Sequence, residues 1–144
     1  MQNPPPVQVN SQPPAQAGKS STGLDENIAA LLSYIFGWVS GLIFFLIEKD
    51  SRLVRFHAMQ SILFNVLVAI AAFVLWIVVF ILVMILSYVS NALGSLVGLL
   101  ATLIWLLFLL GIAIAWVFCL IKAYQSQYFK LPIIGNFAEK FSAK

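Results

Sequence analysis

The sequence predicts an all-α membrane protein with three transmembrane helices, a disordered N-terminal tail and a short C-terminal amphipathic helix. Of the 144 residues 62% are apolar and only 9% charged, against about 25% charged in an ordinary soluble domain. From Phe56 through Ile121 there is no Asp, Glu, Lys or Arg, a length that a soluble domain of this size could not leave uncharged. Glu48, Lys49, Asp50, Arg52 and Arg55 crowd instead into IEKDSRLVRFHAMQS, residues 47–61. Such a stretch reads as a border between lipid and water.

Three parts follow along the chain: a tail over 1–23, a membrane domain over 24–130 and an interfacial segment over 131–144. The tail, MQNPPPVQVNSQPPAQAGKSSTG, carries one charge, Lys19, and has almost nothing to bury. Ala15-Gln16-Ala17 resembles a signal-peptidase site, but no basic and apolar regions precede it, so cleavage there is not expected.

The first span is predicted over about 28–47, which as a helix measures about 30 Å, the thickness of the hydrocarbon layer. Thr22 or Asp25 can cap it, with Asp25 and Glu26 at the positive end of the helix dipole. Lipid offers backbone groups no partners, so a crossing here must be helical. The second apolar run extends from Arg52 to Leu86 and the third from Leu96 to Ile121, giving spans over about 57–86 and 96–121. SYVSNALGS, residues 87–95, suits a short turn between them. A third crossing after Phe56 would leave no residues for turns.

Past Ile121, Lys122, Tyr124 and Tyr128 mark a headgroup-level interface. Pro132 turns the chain out of the helix, and Asn136 with Glu139 matches a capping box for a final helix. Its Phe137 and Phe141 fall on one face and Lys140 and Lys144 off it, the pattern of a helix lying on a membrane surface. With three crossings, Lys49, Arg52, Arg55, Lys122, Lys130, Lys140 and Lys144 share one side and Lys19 stands alone on the other. The positive-inside rule then places the C-terminus in the cytoplasm and the N-terminus outside.

Ala29, Ser33, Gly37 and Gly41 recur at four-residue spacing and form a groove of small residues, widened by Ala30 and Ser40. Such a groove lets another helix approach backbone to backbone, either a span of this chain or, with half the weight, a second copy. Gly94, Gly98, Ala101, Gly111 and Ala115 offer a complementary surface. At the hairpin, Ser51 or Asp50 can cap the second helix. Lys49, Arg52 and Arg55 suit anionic lipid headgroups, and the two arginines could also clamp a phosphate or carboxylate. His57, Ser61 and Asn65 recur every fourth residue, flanked by Gln60, as a polar strip that hydrogen-bonds across the bundle. A pH-sensing role for His57 carries less weight than this packing role.

No ionisable residue lies inside a span below the interface, which removes the usual mark of proton relays, pumps and voltage sensors. Cys119 sits in an apolar run as an inert thiol, and the single histidine has no cysteine or converging carboxylates with which to hold a metal. No phosphate-binding loop or dinucleotide fingerprint is present, and no basic stripe suited to nucleic acid. The expectation is therefore no enzyme, no cofactor and no nucleic-acid partner.

LDENIAALLSYIFGWVSGLIFFLIEKDSRLVRFHAMQSILFN, with AYQSQYFKLPIIGNFAEKF downstream, resembles a family of small bacterial membrane proteins grouped with the plastid inner-envelope import component, the twenty-kilodalton Tic subunit. The resemblance covers residues 24–141. It is most specific at Glu48, Lys49, Ser51, Val54 to Ala58, Gln60 and Ser61, and at Leu131 to Gly135. It implies an integral protein of the bacterial inner membrane without a defined biochemical role. The function expected is a non-enzymatic accessory or assembly component, with a subunit of an oligomeric channel or transporter as the alternative. The expected partners are a bilayer with anionic headgroups and either another membrane protein or further copies of the chain.

Overall fold

The computed structural model describes residues 18–132 and 134–142; most of the expected tail, residues 1–17, and Lys144 lie outside the described residues. Among the described residues the regular elements are five helices: α1 (Glu26–Ile35), α2 (Trp38–Ile47), α3 (Arg52–Val89), α4 (Asn91–Tyr124) and α5 (Ile134–Ser142).

α3 and α4 form an antiparallel hairpin of 38 and 34 residues, about 57 and 51 Å long. Both are apolar enough to cross a membrane. Ser51 caps α3, its hydroxyl accepting the Val54 N–H at 3.2 Å. The turn expected over 87–95 contracts to a single extended residue, Ser90, so both helices run past the bounds expected for the spans. Small residues make this sharp reversal possible, because Gly94 lies directly against Ser87.

The expected first span is not one crossing helix. The chain breaks at Phe36 and Gly37, where Gly37 takes φ +60 and ψ −131, a conformation that only glycine adopts without strain. α1 and α2, 10 residues each, then fold back on one another. The return is fixed at the open end, where Ser21 hydrogen-bonds both Glu48 and Asp50. At the closed end Gly37 packs beside Ser61 and Asn65 of α3. α1 therefore runs parallel to α3 and α2 antiparallel to it, reaching about 15 Å along the long hairpin before turning.

Three expectations change with this reversal. The segment before α1, the 48–51 turn and the segment after α4 all lie at one end of the bundle, so the N-terminal segment is not on the side opposite the turn. The stripe of Ala29, Ser33, Gly37 and Gly41 is not one groove, because two residues sit on α1, one at the break and one on α2. Residues 18–23 do not belong with a tail: Ser20 is buried, and the backbones of Lys19 and Asp25 pair as an isolated antiparallel β-bridge.

α5 packs against α3 through Ile134, Gly135, Ala138 and Ser142. It starts two residues before Asn136, so the expected capping box does not form and Glu139 pairs instead with Lys130 at 2.7 Å. Phe137 and Phe141 face outward. The core is small and sits at the charged end, where Ala29, Ala30, Tyr34, Val54, Cys119 and Ala123 close on one another. Beyond Asn65 the two long helices have only each other, and their outer faces are bare Leu, Ile, Val, Phe and Trp.

Candidate functional site

Polar side chains concentrate where α1, α2 and the foot of the α3–α4 hairpin meet, and they fall into three groups. The first surrounds Glu48, which is fully buried at the end of α2. Its carboxylate accepts from the Ser21 N–H at 3.0 Å, the Ser21 hydroxyl at 2.8 Å, the Asp50 N–H at 3.0 Å and the Ser51 N–H at 2.9 Å. The Ser20 hydroxyl donates as well. Burial alone raises the carboxyl pKa, but the Ser20 hydroxyl and the N–H and hydroxyl donors of Ser51 and Ser21 outweigh it and hold it at about 2. A charged group in this position fixes the ends of α1, α2 and α3 together, since its donors come from two connecting segments, Ser20 and Ser21 before α1 and Asp50 and Ser51 between α2 and α3.

The second group spans the bundle. His57, also fully buried, places Nε2 3.1 Å from the Gln127 carbonyl and Nδ1 3.2 Å from the Tyr34 hydroxyl. A carbonyl only accepts, so Nε2 carries the proton and Nδ1 accepts from Tyr34; one neutral tautomer satisfies both contacts. Gln60 sends its amide N–H toward the Cys119 sulfur at 3.8 Å, while its Oε1 has no partner among the described residues. His57 and Gln60 thus link α3 to α1, to α4 and to the segment following α4.

The third group repairs the helix break. The Ser40 hydroxyl donates to the Ser33 carbonyl at 3.0 Å and accepts the Phe36 N–H at 3.1 Å. Ser61 donates to the Gly37 carbonyl at 3.0 Å, and the Trp116 indole N–H reaches the Tyr34 carbonyl at 3.1 Å. Irregular backbone survives at membrane depth only where protein supplies such partners.

The expected polar strip therefore divides. His57 and Gln60 face α1 and α4, whereas Ser61 faces the break and Asn65, beside Gly37, donates to the Ser61 carbonyl. The expected cationic trio does not converge either. Arg55 turns inward, donating to the Glu48 carbonyl at 3.0 Å with its guanidinium 4.9 Å above the Phe45 ring. Arg52 and Lys49 remain exposed. Gly41 lies so near α3 that a Cβ there would stand 2.9 Å from the Ala58 carbonyl oxygen. Sequence reasoning missed the donors to Glu48 and the role of Trp116; Gly37, Ser40 and Gly41 clustered inside a supposed span were the available signal.

Fold and site together define a helical membrane protein: a long apolar hairpin whose foot is locked by a short, folded-back helix pair. The chain belongs to the MamF/MmsF family, described as a magnetosome magnetite crystal formation protein family, whose model matches residues 24–138. It is 38% identical to a UPF0132 membrane protein of Methanocaldococcus jannaschii over 131 residues, covering 87% of this chain and 96% of the relative. A UPF0132 membrane protein of Archaeoglobus fulgidus is 38% identical over 119 residues, covering 81% and 95%. No solved structure matches the chain. These comparisons support a membrane-protein family without a defined role and give no support to kinship with the plastid import component.

Proposed function

We infer that the protein is a non-enzymatic accessory of membrane assemblies, held in the bilayer by the α3–α4 hairpin. The carrying observation is the bare apolar surface of that hairpin together with the confinement of every described charge to its foot. Glu48, His57, Ser40 and Ser61 are already engaged with groups of the chain itself, which suits a structural part rather than a site of turnover. The family description, magnetite crystal formation in magnetosomes, fits an accessory that organises other components.

In this reading the chain crosses the bilayer twice, and α1–α2 enters and leaves from the charged side. None of the eight Lys and Arg falls within 56–121, so the charged end is cytoplasmic and Ser90 faces outward. Single cysteines at Thr22, Asp50, Asn91 and Lys140 in a Cys119→Ser background test this in intact cells. A membrane-impermeant thiol reagent should label only position 91. Labelling of position 22 together with 91 would restore three crossings and sink the folded-back arrangement.

The helix break favours a second reading, a subunit of an oligomeric channel or transporter, because discontinuous helices recur at transporter binding sites. Crosslinking in native membranes separates the two. A different membrane protein at the hairpin surface supports the accessory role, and a closed ring of identical chains supports transport.

A further inference from the structure

Where the start of α3, the segment after α4 and α5 meet lies a cleft of about 220 Å³ lined by Arg52, Tyr128, Glu139 and Ser142. This is below the roughly 300–1,000 Å³ of a pocket for a drug-sized ligand. Its chemistry is mixed. Among the described residues the Arg52 guanidinium has no ion pair and no hydrogen bond, although arginine is built to hold phosphate oxygens. Glu139 spends Oε2 on Lys130, and its Oε1 has no partner among the described residues. Burial raises the Tyr128 pKa, as does Glu26, while Arg52 opposes them, so the phenol stays protonated as a donor beside the guanidinium. Ser142 donates to the Glu139 carbonyl and keeps lone pairs to offer.

A site for a simple anion would not be walled by Glu139, with the Glu26 charge also acting on Tyr128. A site for a simple cation would not present Arg52. Opposite charges across one small cleft match a ligand that carries both.

We propose that this cleft binds the aminophosphate headgroup of a zwitterionic phospholipid, with phosphate on Arg52 and Tyr128 and ammonium on Glu139. This rests on the membrane placement above, and it replaces the diffuse attraction of surface cations for anionic lipid with a specific site.

The test uses the full chain in nanodiscs containing equal phosphatidylethanolamine and phosphatidylglycerol, with co-retained lipid read by native mass spectrometry. Recovery of protein in the disc fraction is scored separately, so failure to insert is not mistaken for failure to bind. The wild type should retain phosphatidylethanolamine in preference to phosphatidylglycerol. Arg52→Gln should lower that retention about tenfold, the worth of a charge-assisted hydrogen bond. Glu139→Gln should remove the preference, since the carboxylate that selects the ammonium and repels a purely anionic headgroup is gone. Soluble phosphoethanolamine at the lipid's concentration should not displace it. Equal retention of both lipids by the wild type, or unchanged retention in Arg52→Gln, would overturn the proposal. Displacement by soluble phosphoethanolamine would overturn the lipid as the source.

Discussion

Ser21 and Glu48 are joined twice, by the Ser21 N–H at 3.0 Å and by its hydroxyl at 2.8 Å, across 27 residues of chain. That junction turns two 10-residue helices into a folded-back pair. The carboxylate at its centre makes the junction sensitive to acid. Glu48 has its pKa lowered from the ordinary 4.5 to about 2, so its contribution is complete above about pH 4.5 and is lost as pH falls from there toward 2. Thermal unfolding in detergent should show this loss. Glu48→Gln should destabilise the protein at pH 7 by about 2 kcal/mol, because an amide N–H then faces backbone donors. Its stability should also decline less than the wild type's between pH 4.5 and 2. Parallel decline of the two proteins would place the acid sensitivity elsewhere.

The glycines divide sharply in what a methyl group would cost. At Gly41 it would meet the Ala58 carbonyl at 2.9 Å and the Ser61 Cβ at 3.1 Å, so Gly41→Ala should cost about 1–3 kcal/mol. Gly37→Ala should cost a similar amount for a different reason, the positive φ. At Gly98 nothing lies within 4 Å, so Gly98→Ala should be neutral or slightly stabilising. Unfolding of the three variants in one detergent checks the order. A damaging Gly98→Ala would reveal a neighbour packed against the bare part of α4.

How much of this was legible depended on the range of the interaction. Ser51 as a cap, the reversal near Ser90 and the apolar hairpin follow from neighbours in sequence, and each is present in the structure. Gly37 misled because small residues at 29, 33, 37 and 41 fit a continuous packing helix as well as they fit a broken one. A run of about 20 apolar residues also matches the bilayer thickness whether or not it bends. The hydroxyl partners of Glu48 come from a Ser-rich stretch 27 or 28 residues earlier, and the Gln127 carbonyl that accepts from His57 lies 70 residues later. Neither has a local pattern to betray it. The Arg52 cleft failed for the same reason, since Tyr128 and Glu139 reach Arg52 only through the return of α4 and the docking of α5.

Tyr34 and His57 should behave as a coupled pair. His57→Phe leaves two groups without their partner: the buried Tyr34 hydroxyl, at about 1–3 kcal/mol, and the carbonyl of the exposed Gln127, which solvent can reach at little cost. Adding Tyr34→Phe removes one of those groups, so the double variant should be no worse than His57→Phe alone. A double-mutant cycle from unfolding in detergent measures the coupling, expected at about 1 kcal/mol. Additive losses would mean that the 3.2 Å contact contributes nothing.

Arg52 and Arg55, three residues apart, should respond oppositely to lysine. Arg55 holds the Glu48 carbonyl at 3.0 Å while its planar head lies over Phe45 at 4.9 Å. A lysine keeps the charge but loses both the fork and the flat face. Arg55→Lys should therefore lower stability by about 1 kcal/mol, within the range of a hydrogen bond to a charged donor plus a cation–π contact. Arg52 supports nothing inside the chain among the described residues, so Arg52→Lys should unfold at the wild-type temperature. Its loss should appear only in lipid retention, where a single ammonium replaces two-point contact with phosphate. Both variants conserve the cation count at the charged end of the bundle, so cysteine labelling at position 91 should be unchanged in each. Lowered stability in Arg52→Lys with full stability in Arg55→Lys would reverse the assignment, making Arg52 the internal brace and Arg55 the free cation.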